Sequence, residues 1–282
     1  MPNDVLRFDD VTVCYGATPA VHHLSAEMPC GSLVALMGPN GAGKSMLLRT
    51  ILGWHRLTTG AITIGGVPCR KARQRIGYLP QRAAVDWDFP VTVRDVVAMG
   101  RYQVLGPFRG FRKDDHAAVD AAISEMGLEW LADRQIAALS GGQQQRTFLA
   151  RAVASGADIF LLDEPFAGLD PSSTADLVRR LQTWAKAGRL VVTVVHDLDL
   201  ARRYFPQALL VRASLIAAGA TSEVLSERNL ARAYGASYAA ERSVAAVPKP
   251  APIPALGLSL KDPRVRQMTK PMAKPMTRQD AP

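Results

Sequence analysis

The sequence predicts an α/β fold with an inserted helical subdomain, and two observations support this class. Three apolar runs of buried-strand length cover residues 33–37, 159–162 and 190–195, and each is followed at once by glycine or a polar residue. Between the first and second runs, helical signals dominate from residue 82 to residue 153. We therefore expect an α/β core that is interrupted by an α-helical insertion at about 82–153.

A small antiparallel β subdomain is predicted beside this core. Residues 4–15 alternate partly between apolar and polar, as a strand does, and residues 20–28 supply a partner across a short turn. Residues 61–67 contain a Gly-Gly pair that suits a two-residue hairpin turn. A further short strand is expected at 75–80, and it ends at Gln81.

The ends of several helices are also visible in the sequence. Thr92 is a typical N-cap with an acidic residue three positions later, and a second helix of the insertion fits residues 114–126. Towards the C-terminus, residues 208–211 and a helix over 222–234 are expected to pack at the edge of the core.

Composition indicates a globular protein with a basic C-terminal segment. The net charge is +9, but residues 246–282 hold seven Lys or Arg against two Asp, which is +5, so the rest of the chain has only +4. The net charge of the folded part therefore gives little support for nucleic-acid binding, and no nucleic-acid partner is expected. Eight prolines and few large apolar groups predict a flexible tail at 246–282, beyond a domain at 1–245.

Cysteine usage and hydropathy predict a cytosolic chain. Cys14, Cys30 and Cys69 are far apart and form no C-x-x-C pair, so we interpret them as reduced thiols. No apolar run approaches the roughly 18 residues that a membrane helix needs, and no secretion signal is recognised.

A glycine-rich loop follows the first apolar run and precedes a predicted helix. It fits the pattern G-x-x-x-x-G-K-[ST], and the flanking strand and helix disfavour a chance glycine turn. Its backbone N–H groups and the helix N-terminus are suited to phosphate oxygens. Lys44 is expected to reach the β- and γ-phosphates, and the Ser45 hydroxyl to ligate Mg²⁺. The loop residues are Gly38, Pro39, Asn40, Gly41, Ala42, Gly43, Lys44 and Ser45.

A second helix start carries glycines and a hydroxyl. Ser140 is the expected N-cap of a helix that continues to residue 154, and Gly141, Gly142 and Gln143 follow it. One γ-phosphate seldom needs two such cradles in one chain. The simplest explanation is that each cradle holds a nucleotide from the opposite side of a dimer interface.

Polar residues follow the other two apolar runs. Asp163 and Glu164 come directly after one of them, at the sheet edge where ligands bind in α/β proteins. Asp163 would hold the Mg²⁺ shell, and Glu164 would polarise a water for attack on the γ-phosphorus. His196 follows the third run and would either donate to the phosphate or hold the water and the carboxylate.

Two further residues have predicted local roles. Asp170 is an expected N-cap before Pro171. Tyr15 ends the first strand, where its ring would either stack on a base or belong to the core.

Taken in order, these motifs resemble the ATP-binding subunit of an ABC transporter over residues 4 to about 235. The glycine loop alone is shared with many NTPases, whereas Leu-Ser-Gly-Gly-Gln at 139–143 makes the resemblance specific. The family implies a P-loop NTPase core, ATP and Mg²⁺ as cofactors, and hydrolysis of ATP. It also implies a homodimer at the cytoplasmic face of the inner or plasma membrane, attached peripherally to transmembrane permease subunits.

The resemblance also implies roles for individual residues. Tyr15 would stack on adenine, and Gln81 would contact Mg²⁺ or the attacking water and connect the helical insertion to the site. Residues 140–143 would close over the ATP of the other subunit. Asp170 would contact the partner, and His196 would clamp the γ-phosphate. Met46 departs from the family, which commonly has Thr there, but the departure leaves Lys44 and Ser45 intact.

A narrower resemblance points to the zinc and manganese import branch of the family. It is carried by the segments at 85–93, 99–102, 140–146 and 163–168. This branch implies an extracytoplasmic metal-binding protein as an indirect partner. His22, His23 and Cys30 lack the spacing of a metal site, and the cargo need never touch this chain. The alternatives are transport of iron chelates, haem or another solute, transport in the reverse direction, and a role on nucleic acid without transport.

Overall fold

The computed structural model describes residues 5–16, 18–105 and 109–235. These residues form ten β-strands and nine α-helices. The strands are β1 (Val5–Tyr15), β2 (Thr18–Pro29), β3 (Leu33–Met37), β4 (Thr59–Ile64), β5 (Val67–Pro68), β6 (Ile76–Leu79), β7 (Ile159–Leu162), β8 (Leu190–Val194), β9 (Gln207–Arg212) and β10 (Ser214–Ala220). The helices are α1 (Lys44–Ile51), α2 (Val93–Met99), α3 (Tyr102–Leu105), α4 (Lys113–Glu125), α5 (Gly141–Ala154), α6 (Pro171–Lys186), α7 (Leu198–Tyr204), α8 (Thr221–Val224) and α9 (Glu227–Tyr234).

The strands form two sheets, as the sequence predicts. The larger sheet has the order β10-β9-β3-β8-β7-β6, and all its pairs are parallel except that of β10 with β9. The smaller sheet has the order β2-β1-β4-β5 and is antiparallel. The Gly65-Gly66 pair joins β4 to β5. An α/β core with a small antiparallel sheet is therefore confirmed.

Apolar side chains cover both faces of the larger sheet, since successive residues of a strand point to opposite sides. On one face Val192 belongs to a buried cluster with Leu48 of α1 and Phe8 of the smaller sheet. On the other face Phe160 belongs to a second cluster with Leu149 of α5. The parallel strands are thus buried on both sides, which explains their continuous apolar runs.

The segment between β6 and β7 is helical, as the sequence predicts. Its described residues form α2 to α5 with short 3₁₀ turns, apart from one isolated bridge between Thr92 and Gln135. The Thr92 hydroxyl accepts the N–H of Asp95 at 3.1 Å, and the Asp95 carboxylate accepts the N–H of Thr92 at 2.9 Å. This reciprocal cap fixes the start of α2.

A buried charge cluster holds the helical segment together. The Asp115 side chain is 0% exposed and accepts hydrogen bonds from Arg101 at 2.8 Å and from Arg109 at 3.2 Å. The N–H of Arg112 adds a bond of 3.0 Å, and Arg101 also donates to the Ala154 carbonyl at 3.0 Å. The hydrogen bond from the Arg101 guanidinium makes the largest contribution to lowering the pKa of the Asp115 carboxyl below its usual range, and the bond from the Arg112 N–H adds to it. The cluster therefore joins the start of α4 to the end of α5.

The expectation for residues 208–211 is wrong. They belong to β9, which lies inside the larger sheet between β3 and β10, and Leu209 is in register with Leu36. The helix predicted at 222–234 is divided into α8 and α9. A strand's place in a sheet depends on long-range pairing, which the local apolar pattern does not contain.

Within the described part of the chain, no helix is long and apolar enough to cross a membrane. The predicted tail at 246–282 lies outside the described residues.

Candidate active site

Four predicted site segments lie at one edge of the larger sheet. The strands β3, β8, β7 and β6 are parallel neighbours, so their carboxyl ends lie side by side. The glycine loop follows β3, His196 follows β8, Asp163 and Glu164 follow β7, and Gln81 follows β6. The sheet topology therefore brings together residues that are far apart in the sequence.

The glycine loop is packed closely against neighbouring backbone. Gly38 has a φ of +149° and Gly43 a φ of +92°. A Cβ atom on Gly38 would lie 2.1 Å from the carbonyl oxygen of Val211, and one on Gly43 would lie 2.5 Å from Val21. Glycine is therefore required at both positions by space as well as by backbone conformation.

The Lys44 ammonium is held in the centre of the loop. Its Nζ donates to the carbonyl oxygens of Gly38 at 2.8 Å and Pro39 at 2.9 Å. Burial lowers the pKa of Lys44, and the nearby carboxylates of Glu164 and Asp163 oppose that shift. The loop thus positions one buried cation directly at the start of α1, where phosphate oxygens are favoured.

Ser45 and Asp163 join the loop to the end of β7. The Ser45 hydroxyl donates to Oδ1 of Asp163 at 3.3 Å. Asp163 is 2% exposed, and this burial raises the pKa of its carboxyl, while the Ser45 hydrogen bond acts in the opposite direction. A hydroxyl and a carboxylate are oxygen ligands of the kind that Mg²⁺ prefers, so this pair fits the predicted metal position. Gln81, the third predicted metal residue, is bonded to Glu164 instead.

Both carboxylate oxygens of Glu164 are engaged by predicted site residues. Gln81 donates its amide N–H to Oε2 at 3.0 Å, and Nε2 of His196 lies 2.8 Å from Oε1. The backbone of Glu164 has a φ of +53°, a conformation that costs a non-glycine residue about 1–2 kcal/mol. Strained backbone of this kind is concentrated at functional sites. The Glu164 carboxylate, at the end of β7, therefore lies between Gln81 at the end of β6 and His196 at the end of β8.

Ser140 caps α5 as predicted. Its N–H donates to the side chain of Gln143 at 2.9 Å, and its hydroxyl accepts the N–H of Gln143 at 3.4 Å. Gly141 and Gly142 then occupy the first turn, where backbone N–H groups have no partner inside the helix. In the described part of the chain, no hydrogen bond joins residues 140–143 to the glycine loop.

The remaining predicted residues occupy the periphery of this edge. Asp170 caps α6 and accepts hydrogen bonds from the hydroxyls and backbone N–H groups of Ser172 and Ser173, which hold the pKa of its carboxyl far below the usual range. Met46 packs its side chain against the core cluster beneath α1. Tyr15 ends β1, and its side chain is not described.

Sequence reasoning missed a contact next to Gln81. The Arg82 guanidinium donates to the side-chain oxygen of Gln144 at 3.0 Å, one position beyond the segment 140–143. The sequence carries no local signal for this contact, because Arg82 and Gln144 are 62 residues apart.

Comparison with known proteins decides the family. The family model described as ABC transporter matches residues 21–167 of this chain. The chain belongs to the ABC transporter family. It is therefore an ATP-binding domain of the kind that hydrolyses ATP to power transport, as the resemblance of its motifs implied.

Several relatives of this ABC ATPase are similar over most of their length. The manganese transport system ATP-binding protein MntB of Bacillus subtilis is 44% identical over 230 residues, which are 82% of this chain and 92% of that protein. The zinc transport system ATP-binding protein TroB of Treponema pallidum is also 44% identical over 230 residues, which are 82% of this chain and 86% of that protein. A solved ABC transporter of metal-chelate type, in an inward-facing conformation, has a TM-score of 0.73 and 30% identity, and covers 82% of this chain and 89% of that one.

Proposed function

We propose that this ABC ATPase powers import of manganese or zinc through separate membrane permease subunits. ATP hydrolysis is supported by the position of Glu164: its two carboxylate oxygens are held by Gln81 and His196, beside the glycine loop that carries Lys44. The similarity to manganese and zinc transport proteins supports the choice of cargo. An extracytoplasmic metal-binding protein would deliver the ion to the permease.

Nucleotide binding rests on the glycine loop. Its backbone N–H groups and the start of α1 would surround the phosphates, and Lys44 would exchange its two carbonyl contacts for β- and γ-phosphate oxygens. Ser45 and Asp163 would hold Mg²⁺, with Gln81 beside them. Bound Mg²⁺ would neutralise the charge that develops on the phosphate oxygens.

Hydrolysis requires a positioned water and a stabilised γ-phosphate. Glu164 would orient or deprotonate that water, because its carboxylate is fixed from both sides by Gln81 and His196. His196 would also donate to the γ-phosphate. Catalysis of this type depends mainly on position and on electrostatic stabilisation.

The second cradle is supplied by another copy of the chain. Residues 140–143 make no hydrogen bond to the glycine loop among the described residues, and Ser140 is exposed. In a homodimer they would close over the ATP held by the partner, with Asp170 at the interface. Tyr15 would stack on the adenine of its own copy.

The permease is proposed to dock in a groove between the core and the helical insertion. This groove has a volume of about 1020 Å³, and its lining includes Arg70, Lys71, Arg73 and Phe148. Trp54, which is 62% exposed, also lines it. An aromatic group with surrounding cations suits a cytoplasmic helix that ends in acidic residues. Docking there would place the protein peripherally at the cytoplasmic face of the membrane.

Glu164→Gln tests the enzymatic proposal, with the exposed Glu223→Gln as a matched control. Removing a general base costs typically 10²–10⁴-fold in rate, so Glu164→Gln is expected to bind ATP, form a persistent dimer and lose nearly all turnover. Glu223→Gln should behave as the unmodified chain does. Hydrolysis at the normal rate by Glu164→Gln would show that the role assigned to Glu164 is wrong.

Uptake by cells tests the cargo. Cells that lack this subunit are expected to lose high-affinity uptake of radioactive manganese or zinc, and the gene for the unmodified chain should restore it. The gene for the Glu164→Gln variant should not. Normal uptake of both metals, with loss of an iron chelate or haem, would contradict the proposed cargo while leaving the ATPase assignment intact.

A further inference from the structure

Arg82 occupies a position between the two halves of the ATP machinery. It directly follows Gln81, whose side chain donates to Glu164 at 3.0 Å. Its own guanidinium donates to the side-chain oxygen of Gln144 at 3.0 Å, and Gln144 lies in the first turns of α5. Two adjacent residues therefore contact the catalytic carboxylate on one side and the helix of the second cradle on the other.

The Gln144 side chain is fixed in an orientation that lets its oxygen accept from Arg82. Its side chain is buried, with 5% of the residue exposed, and its amide N–H donates to the Ile136 carbonyl at 3.1 Å. The amide is thus locked in one orientation, with its oxygen towards Arg82. A buried amide oxygen without a donor is costly, so the Arg82 bond also satisfies this group.

The guanidinium is packed against the start of the second cradle. A Cβ atom on Gly141 would lie 2.5 Å from Nη1 of Arg82, so the missing side chain of Gly141 leaves the space that the guanidinium fills. The described residues provide no carboxylate within ion-pair distance of Arg82. Its charge thus lies beside the N-terminus of α5, where the helix dipole favours anions over cations. Its position there is therefore explained by the hydrogen bond and by packing.

Trp87 holds Arg82 from the other side. The indole N–H donates to the Arg82 carbonyl at 3.1 Å, and the guanidinium carbon lies 5.8 Å from the centre of the indole ring. The Trp87 ring packs edge-on against Phe148 of α5 with centroids 5.2 Å apart. Both the backbone and the side chain of Arg82 are thereby connected to α5. This contact gives a role to the tryptophan of the segment 85–93, which no step of hydrolysis uses.

We propose that Arg82 is a positioning residue that couples Gln81 to the N-terminus of α5. When Gln81 moves to meet the nucleotide and its water, Arg82 transmits that movement to Gln144 and so orients residues 140–143 for the ATP of the partner copy. This inference rests on the proposed two-copy ATPase. It predicts that loss of Arg82 impairs closure and turnover while leaving nucleotide binding to one copy intact.

The test compares Arg82→Ala with Arg134→Ala in the full-length chain. Arg134 is also exposed and in the helical segment, and its side chain makes no hydrogen bond or ion pair among the described residues, so its removal deletes the same charge without the link. Three quantities are measured: kcat and KM for ATP, the Kd of a fluorescent ADP analogue, and the protein concentration for half-maximal ATP-driven dimerisation in a Glu164→Gln background. Thermal unfolding confirms that each variant folds.

A hydrogen bond from a charged donor to a buried acceptor corresponds to a factor of about 10 or more in an equilibrium. We expect Arg82→Ala to lower kcat by about tenfold and to raise the dimerisation concentration by about tenfold, with the ADP Kd within about twofold of normal. Arg82→Lys, which keeps one donor, should recover part of the loss. Arg82→Ala combined with Gln144→Ala should be no slower than the slower single variant, because both remove the same link.

The coupling role is overturned if Arg82→Ala keeps kcat within about twofold of normal, or if the losses of the two single variants multiply in the double variant. A parallel loss of ADP affinity would also overturn it, because the glycine loop would then be disturbed. Turnover by the unmodified chain distinguishes failure of the Arg82 role from failure of the proposed function. If that chain hydrolyses ATP and Arg82→Ala does so equally well, only the role of Arg82 fails; if the unmodified chain has no activity, the proposed function fails.

Discussion

Replacement of Gly38 by alanine should damage the glycine loop far more than replacement of Gly41. At Gly38 the new Cβ would lie 2.1 Å from the Val211 carbonyl oxygen and 3.2 Å from Cβ of Ala42, with φ at +149°. Heavy atoms pack at about 3.5 Å, so the loop or the end of β9 would have to move by more than 1 Å. At Gly41 φ is +78° and nothing lies within 4 Å of the new atom.

The magnitudes follow from these two geometries. A positive φ costs a non-glycine residue about 1–2 kcal/mol, and both variants carry this term. Only Gly38→Ala adds overpacking, which costs about 1–3 kcal/mol. We therefore expect a loss of about 2–5 kcal/mol in the free energy of unfolding for Gly38→Ala and about 1–2 kcal/mol for Gly41→Ala. Displacement of Gly38 would also misplace the loop whose backbone N–H groups are proposed to surround the phosphates, so ATP binding should weaken by at least about tenfold.

Urea unfolding of the two full-length variants measures the stability difference, and titration with a fluorescent ATP analogue measures binding. Gly41→Ala is the matched control, because it removes a glycine from the same loop without a clash. If Gly38→Ala unfolds within about 0.5 kcal/mol of Gly41→Ala and binds ATP equally well, the loop is not packed against β9 as described.

Three further predictions concern single side chains. The carboxyl of Asp115 has a lowered pKa, largely through Arg101. The ionised carboxylate therefore stabilises the folded protein above about pH 4, and this stabilisation is lost as pH falls through the folded-state pKa. Asp115→Asn should unfold at a lower temperature than the unmodified chain at pH 7, and its melting temperature should change less below about pH 4. Burial raises the pKa of Asp163, so its ionised form opposes folding as pH rises through that pKa. Without Mg²⁺ and nucleotide, Asp163→Asn should melt no lower than the unmodified chain at pH 7, although it should lose Mg²⁺-dependent turnover. A marked drop in its melting temperature would contradict this. Trp184 is 3% exposed, stacks on Phe160 and donates to Glu125 at 2.6 Å. Trp184→Phe should therefore lower the free energy of unfolding in a urea titration by about 1 kcal/mol for the bond, with a further loss for the packing that the smaller ring leaves unfilled. An unchanged value would show that neither contributes.

The local signals in the sequence determined much of the fold and of the site edge. Ser140 and Thr92 are recognisable as N-caps because a capping residue and its partner three positions later are adjacent in the chain. The placement of His196 and Glu164 on one edge follows from two apolar runs that each end in a polar residue, since parallel strands align their carboxyl ends.

Features that depend on long-range contact could not be predicted in this way. The apolar run of β9 predicts packing at the edge of the core, whereas β9 pairs with β3 inside the sheet, because the run gives no information on which strand it pairs with. Asp115 follows Asp114 at the start of a helix and has the pattern of a solvated face, whereas Arg101 and Arg109 enclose it. The positive φ of Glu164 has no sequence signal, because glutamate has no preference for that conformation.

The proposed function depends on each ATP being held by the glycine loop of one copy and by the serine-capped α5 of the other. Its most direct test is a mixture of Lys44→Ala, which lacks the loop lysine, with Ser140→Arg, which blocks the start of α5. In a heterodimer both lesions fall in one site and the other site is intact, so the mixture should hydrolyse ATP well above either variant alone. A mixture that remains as inactive as its components, while mixed dimers are shown to form, would contradict the shared site.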